Sequence, residues 1–340
     1  MTTRLPDHFS PARFLRHPHI QTVWGRMVRP RQLVAMKREA LTTPDGDELI
    51  LDHLDAPVTA PDPMHVVLLH GLEGSSNSVY IQGLLAQIAM LGHAATVMNF
   101  RSCAREPRNL QRMIPNRRPR FYHSGETGDL DFVLRTLTPR APRMVACGAS
   151  LGGNQLLKWL GEHPEQTSLS AAATLSVPYD LAAGARVLEQ SAAGRFYVSR
   201  FLRTLKAKVE SLALRFPEVL QRIDLSRVRA SRTFWDFDDA ATAPLHGFVD
   251  AADYYARSSS IHFVGRIAVP TLCISASDDP FLPAEVLPIV RKQGSEKVEL
   301  RVTDCGGHVG FIGGMPWKCE YWAEELAVRW LERRSVKCEV

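Results

Sequence analysis

The sequence predicts an α/β protein: a mainly parallel, doubly wound sheet interrupted by an inserted helical segment. Three observations carry that reading. Short, continuously apolar runs recur at 66–69, 95–99, 144–147, 172–176, 271–275 and 297–302, as strands buried on both faces of a parallel sheet require. Longer stretches with apolar residues at helical spacing separate them. The alternation stops once, from about 181 to 262, where helical spacing persists and no strand pattern is found.

Taken in order, residues 1–32 precede the first strand and read as a segment packed on the core. A strand at 33–41 leads through the turn Pro44-Asp45-Gly46 into 47–53, where apolar and polar residues alternate as in a half-exposed strand. Tyr80, Leu84, Leu85 and Ile88 mark the first crossover helix, and Leu130, Val133, Leu134 and Leu137 the second. A third runs from Leu151 through Leu156, Leu157 and Leu160; the last carries Trp322, Leu326 and Trp330 at i, i+4 and i+8. The alternating strands and helices of 33–180 and 263–335 form one sheet domain. Within 181–262, Phe201, Leu202, Leu205 and Val209, then Leu212, Leu214, Phe216 and Leu220, read as amphipathic helices of a lid over the C-terminal edge of the sheet.

Composition excludes several classes. Hydrophobic residues make up 45% and charged residues 23%, ordinary for a soluble globular protein, and the net charge is +5. Seven arginines, Arg101, Arg105, Arg108, Arg112, Arg117, Arg118 and Arg120, fall in one stretch. An anion, lipid-headgroup or nucleic-acid contact would use such a cluster. Pro107, Pro115 and Pro119 argue against a regular basic helix, and no aromatic residues interleave for base stacking, so the stretch reads as a solvated loop with Glu106 as partial counter-charge. The six cysteines contain no C-x-x-C pair, which excludes a zinc ribbon or thioredoxin-like motif. Cys147 and Cys273 sit in apolar runs as small core residues, and a reducing cytoplasm is the expected compartment. The N-terminus lacks the apolar region of a leader peptide, and no run approaches the ~20 apolar residues of a membrane span. Peripheral membrane contact stays open.

The chemistry concentrates at Gly148-Ala149-Ser150-Leu151-Gly152-Gly153, a G-x-S-x-G placed after an apolar strand and before a helix. Glycines two residues either side of the serine let strand and helix approach, and the sharp turn lifts the hydroxyl above the sheet edge. Ser150 is the candidate nucleophile. A serine hydroxyl needs a base, and in this arrangement the acid and then the histidine follow in the chain. Downstream, the run at 271–275 leads into Asp278-Asp279-Pro280-Phe281-Leu282-Pro283, and the last run leads into Gly306-Gly307-His308-Val309-Gly310. His308 is the candidate base. Asp279, in a D-P-x-x-P setting, is favoured as its acid partner, with Asp278 the alternative. Two backbone donors must face the developing oxyanion. The amide of Leu151 is one; the amide of Leu72, in His70-Gly71-Leu72-Glu73-Gly74 after the third strand, is the other. His70 precedes the serine and reads as a brace for that turn.

These stretches together resemble the YheT-like branch of the α/β-hydrolases, the AB hydrolase 4 family. The resemblance rests on His17-Pro18-His19-Ile20-Gln21-Thr22, His70-Gly71-Leu72-Glu73-Gly74-Ser75, Phe121-Tyr122-His123-Ser124-Gly125-Glu126-Thr127, Gly148 to Asn154, and Asp278-Asp279-Pro280 with Gly306 to Phe311. Phe237-Asp238-Asp239, Thr242-Ala243-Pro244 and Tyr254-Tyr255 are similar to that branch's insertion. The resemblance spans nearly the whole chain and implies a carboxylic-ester hydrolase, with lipase or phospholipase activity among animal members and charge-relay roles for Ser150, Asp279 and His308. One departure stands out: where the family carries an F-R-G-C-x-G turn, this chain has Phe100-Arg101-Ser102-Cys103-Ala104-Arg105 and the arginine-rich extension.

The expected reaction is acyl transfer through Ser150 to water, on short- to medium-chain acyl or lipid esters, with no cofactor or metal. Acyl transfer to an alcohol by the same triad, or a non-catalytic binding role on the same fold, are the competing readings.

Overall fold

The computed structural model describes residues 8–30, 34–58, 60 and 62–335. The chain enters through helix α1 (Pro18–Val28) and forms β1 (Lys37–Thr42), β2 (Glu48–Leu54), β3 (His65–Leu69), α2 (Val79–Met90) and β4 (Ala94–Asn99). A short hairpin follows, β5 (Arg105–Glu106) and β6 (Asn109–Met113), then α3 (Gly128–Leu137), β7 (Met144–Ala149), α4 (Leu151–Glu162) and β8 (Ala172–Leu175). Six α-helices intervene, with shorter 3-10 and π turns between and after them: α5 (Leu181–Gln190), α6 (Ala192–Arg215), α7 (Leu225–Ala230), α8 (Phe234–Phe237), α9 (Ala243–His246) and α10 (Ala251–Ser258). The chain then returns through β9 (Thr271–Ala276), α11 (Val286–Gln293), β10 (Val298–Thr303), the hairpin β11 (Ile312–Met315) and β12 (Lys318–Tyr321), and α12 (Trp322–Arg334).

Eight strands make one sheet in the order β1-β2-β4-β3-β7-β8-β9-β10. β2 is antiparallel to both its neighbours; every other pairing is parallel. Side chains alternate between the faces, as the period of two demands. Val66 and Leu68 of β3 pack with α2 and α12, through Ile81, Leu84, Leu326 and Leu331. Val67 and Leu69 pack with α3 and α4, through Leu130, Val133, Leu156 and Leu157. Cys147 and Cys273 are fully buried, one on each face. Each large apolar side chain buried this way contributes about 1.5–3 kcal/mol.

The insertion has its own core, in which Val198, Leu202, Leu205, Val209 and Leu212 of α6 meet Phe237, Ala241 and Leu245. The serine hydroxyl of Ser191 caps α6 by accepting from the Gly194 amide at 2.9 Å. The second amphipathic helix expected from Leu212 to Leu220 does not form. α6 runs on to Arg215; Phe216 leaves helical geometry ahead of Pro217, as a residue before proline is pressed to do. Leu214, within α6 and on the face opposite the buried Leu212, is 84% exposed.

Two further expectations are corrected. The first strand starts at Lys37 rather than 33, a position outside the described residues. The arginine-rich stretch contains a short hairpin rather than being a loop throughout; Glu106 is a partial counter-charge, to Arg112, and the other ion pairs reach acids outside the stretch. Arg101 is buried and forks onto Asp129 at 2.7 and 2.6 Å, with Asp47 at 2.8 Å and Asp45 at 3.0 Å completing its shell. Arg117 pairs with Glu48, Arg120 with Glu126, and Arg112 with Glu106. Among the described residues no helix is long and apolar enough to cross a membrane.

Candidate active site

Parallel strands bring their C-terminal ends to one edge of the sheet, and the loops leaving β3, β7, β9 and β10 meet there. Ser150 occupies the turn between β7 and α4 with φ 52° and ψ −121°, a conformation that costs on the order of 1–3 kcal/mol for a residue with a Cβ. The flanking glycines are sterically required. A Cβ on Gly148 would lie 2.5 Å from the Gly152 carbonyl oxygen, and one on Gly152 2.6 Å from the His70 carbonyl oxygen. The Ser150 amide is tied to the Leu175 carbonyl at 2.8 Å.

His308 Nε2 lies 2.9 Å from Ser150 Oγ. Its Nδ1 faces Asp279, 2.9 Å from Oδ2 and 3.1 Å from Oδ1. Donation from Nδ1–H to the acid leaves Nε2 free to accept from the serine hydroxyl. Asp279 is therefore the acid that meets the histidine. Asp278 turns the other way: its Oδ1 accepts from the Gly307 amide at 2.9 Å, and burial, reinforced by the Asp279 charge, raises its pKa. Phe281 stacks on the His308 ring at 4.2 Å, and its amide donates to Asp279 Oδ1.

The amides of Leu72 and Leu151 have no acceptor among the described residues; Leu151 opens α4, where the first-turn amides have no intrahelical partner. The Leu72 turn is braced from below. His70 Nδ1 donates to the Gly71 carbonyl at 2.8 Å, and Nε2 accepts from the Phe100 amide at 3.1 Å. Complete burial pushes this ring down to about 4, so it is neutral and structural. The Gly71 amide donates to the Tyr80 hydroxyl at 2.7 Å.

Several residues that hold this geometry carry no role in the sequence reading. Thr22 Oγ1 accepts from the His308 amide at 3.0 Å. Gln21 is fully buried; it donates to the Leu15 and Ile312 carbonyls and accepts from the Ile312 amide. α1 thus clamps the histidine loop, and Arg29 fixes α1 to α12 by a fork onto Glu324 at 2.6 and 2.8 Å. Gln21 and Thr22 stood inside a quoted motif, but nothing in the sequence says what they touch.

Glu73 is the second case. It follows Leu72, has φ 57°, and its amide donates to the Tyr122 hydroxyl at 2.7 Å. Its carboxylate accepts from Lys208 of α6, both side chains being more than 90% buried, and Lys208 also reaches Cys103 Sγ at 3.2 Å. Burial alone would raise the Glu73 pKa; Lys208 outweighs it and holds the carboxyl below its ordinary value. A lysine on the buried face of an amphipathic helix, beside Leu205, Val209 and Leu212, is the signal that could have exposed the pair.

Above these groups lies a cavity of about 1030 Å³ bounded by the sheet edge, α1, the β5–β6 hairpin and the insertion, and open to Ser150 and His308. Leu72, Phe121, Leu181, Leu188, Phe201 and Phe237 give it an apolar lining.

Fold and site together define an esterase-like α/β hydrolase. Residues 64–314 match the family model described as alpha/beta hydrolase fold, and the chain belongs to that family. It is 37% identical over 326 residues to YheT of Escherichia coli (strain K12), covering 95% of this chain and 92% of that protein. It is 31% identical over 310 residues to Phospholipase ABHD3 of Mus musculus, covering 88% of this chain and 72% of that protein. The esterase Pf2001 of Pyrococcus furiosus superposes with a TM-score of 0.52 at 15% identity, over 98% of this chain and 97% of that chain, which is a likeness of fold.

Proposed function

We propose that this chain hydrolyses carboxylic esters through an acyl-serine intermediate, with Ser150 as nucleophile, His308 as general base and Asp279 as the acid that orients it. The observation that carries the reading is the unbroken relay from Asp279 Oδ2 to His308 Nδ1 and from His308 Nε2 to Ser150 Oγ, each step 2.9 Å. Ser150 Oγ attacks the ester carbonyl carbon as His308 Nε2 takes its proton. The carbonyl oxygen becomes an oxyanion, which the Leu72 and Leu151 amides receive; one such donor is worth about 2.7–4 kcal/mol. Collapse expels the alcohol with the proton from His308. Water, deprotonated by the same nitrogen, then releases the acid and restores the serine.

The apolar lining supports an acyl chain as the part recognised, of short to medium length, and the name of the mouse relative supports a lipid ester among the substrates. The described cysteines, Cys103, Cys147, Cys273, Cys305 and Cys319, are all free thiols, which supports a reducing, cytoplasmic setting.

The test is a chain-length panel of p-nitrophenyl esters with Ser150→Ala alongside fluorophosphonate labelling of the wild type. Hydrolysis and labelling that both vanish in the variant are expected. Undiminished hydrolysis by Ser150→Ala overturns the reading. Products formed preferentially with added alcohols would replace hydrolysis by acyl transfer at the same serine.

A further inference from the structure

The cavity is apolar where it meets the sheet, but its mouth carries charge. Five arginines line it: Arg26 of α1 and Arg29 just beyond it, Arg105 of β5, and Arg200 and Arg203 of α6. Only three carboxylates do, Glu73, Asp238 and Glu324. Each of these is already satisfied. Glu73 is paired with Lys208 and Glu324 with Arg29, while Asp238 accepts from the Thr242 and Tyr255 hydroxyls at 2.5 and 2.7 Å. Arg26, Arg105, Arg200 and Arg203 have no carboxylate within ion-pairing distance among the described residues. Elsewhere in the β5–β6 region Arg101, Arg112, Arg117 and Arg120 are paired, whereas Arg108 and Arg118, neither of which lines the cavity, have no carboxylate within ion-pairing distance among the described residues and Arg118 donates to the Asp45 carbonyl.

The unpaired four come from three elements distant in sequence, which a single fluctuation in composition does not produce. On α6, Phe196, Arg200 and Arg203 stand at i, i+4 and i+7 and therefore share one face, and all three line the cavity. The fields of two of the arginines reach residues that brace the candidate oxyanion turn, each as the smallest of several influences. Arg105 adds to the burial that lowers the His70 pKa, and Arg26 opposes the burial that raises Tyr80, the hydroxyl that holds the Gly71 amide. Guanidinium groups with free donors around an apolar cleft suit a planar or tetrahedral oxyanion, and a low-dielectric wall concentrates their field.

We propose that this mouth is an anion subsite, and that the preferred ester carries a free carboxylate or similar oxyanion in addition to its scissile bond. This rests on the ester-hydrolase reading above and narrows its substrate class. The apolar part of the ester lies against Leu72, Phe201 and Phe237, and the anion remains at the rim with the arginines.

Two matched substrate pairs test it. 4-Nitrophenyl valerate against mono-4-nitrophenyl glutarate places the charge on the acyl side; methyl 4-(butyryloxy)benzoate against 4-(butyryloxy)benzoate places it on the alcohol side. For at least one pair the anionic member is expected to have a kcat/KM about tenfold above the neutral one, the worth of one good charge-assisted contact, and added sodium chloride should erode that ratio. In Arg26→Gln/Arg200→Gln/Arg203→Gln the ratio should fall to about one. Both pairs hydrolysed without a preference for the anion, or a preference that survives the triple variant, overturns the subsite while leaving the ester-hydrolase reading intact. No hydrolysis of any of the four esters, nor of p-nitrophenyl butyrate, overturns the underlying reading instead. A requirement for the arginines that appears only as binding to phosphatidylglycerol vesicles, with soluble anionic esters treated like neutral ones, overturns the subsite in favour of a membrane contact.

Discussion

The two walls of the cavity are built on different principles. On the sheet side, position is set through backbone amides: Ser150, Asp279 and His308 leave the ends of β7, β9 and the half-buried β10, and the amides of Ser150, Val309, His308 and Gly307 donate to the Leu175 carbonyl, Ser176 Oγ, Thr22 Oγ1 and Asp278 Oδ1. On the insertion side, the helices have a core of their own that takes in Phe121 and packs against Leu72 and Phe281, and several buried polar anchors cross to the sheet domain. Lys208 meets Glu73; the Tyr254 hydroxyl accepts from the Ser124 amide at 3.0 Å; Asn154 donates to the Ser258 carbonyl and accepts from the Ser260 amide. A wall held by backbone is hard to shift by one substitution. A wall held by buried charge can be released at a single residue, because removing one partner strands the other without water.

The largest effect separates the two adjacent acids. Asp279→Asn is expected to lower kcat by about 10⁴-fold, since the imidazole loses the partner that fixes its tautomer. Stopped assays on p-nitrophenyl butyrate measure it; a loss under tenfold would transfer the role elsewhere.

Next comes the insertion's anchor. Lys208→Met leaves the Glu73 carboxylate buried without its cation and should cost about 3–5 kcal/mol, read as a shift in the urea midpoint. Lys208→Met/Glu73→Gln removes both charges and should recover most of that loss. If the double variant is as unstable as the single, the pair is not what holds α6 to the Leu72 turn.

A pH effect follows from Asp238, which sits in a π-helical turn at 238–242 with its carboxyl pushed up to about 6 by burial. The folded state holds this proton more tightly than the unfolded chain does. Its contribution to stability is therefore present at low pH and is lost as pH rises from about 4 to 6, by up to about 3 kcal/mol. The neutral buried rings of His70 and His123, pushed down to about 4 and about 3, act in the opposite sense as pH falls below the ordinary histidine range. The readout is thus the difference between wild type and Asp238→Asn in urea midpoints from pH 4 to 7. That difference should change across the window and then stay constant; a flat difference throughout would refute the assignment.

The smallest effect is at Asp278. Asp278→Asn keeps an acceptor for the Gly307 amide and should cost no more than about 1 kcal/mol, with kcat reduced less than tenfold. Thermal unfolding and the same esterase assay measure both.

How much of this was legible depended on how local each feature is. The sharp turn at Ser150 could be read because everything it needs is local: a buried strand, two glycines and a helix start. The parallel strands could be read because burial on both faces leaves continuous apolar runs such as 271–275. Asp279 could be favoured over Asp278 from the prolines beside it. Partnerships across the fold left no such mark. Glu73 and Lys208 are 135 positions apart, and Thr22 and His308 are 286 apart. The arginine-rich stretch misled because charge alone does not say where counter-charges lie; Asp45, Asp47 and Asp129 come from elsewhere in the chain. Leu214 misled because it stays within α6, where a step of two residues from the buried Leu212 turns it to the opposite, exposed face.

The clamp of α1 on the histidine loop also orders events in time. Gln21 grips Ile312, 291 positions later, through two hydrogen bonds of its side-chain amide, Nε2 donating to the Ile312 carbonyl and Oε1 accepting from the Ile312 amide. Synthesis runs from the amino end, so Ser150 is made before His308, and the histidine's loop has its mould waiting before the loop itself exists. A nascent chain therefore carries Ser150 without its histidine partner while the next 158 residues are added, and the candidate site is assembled only when α1 and the Ile312 segment meet.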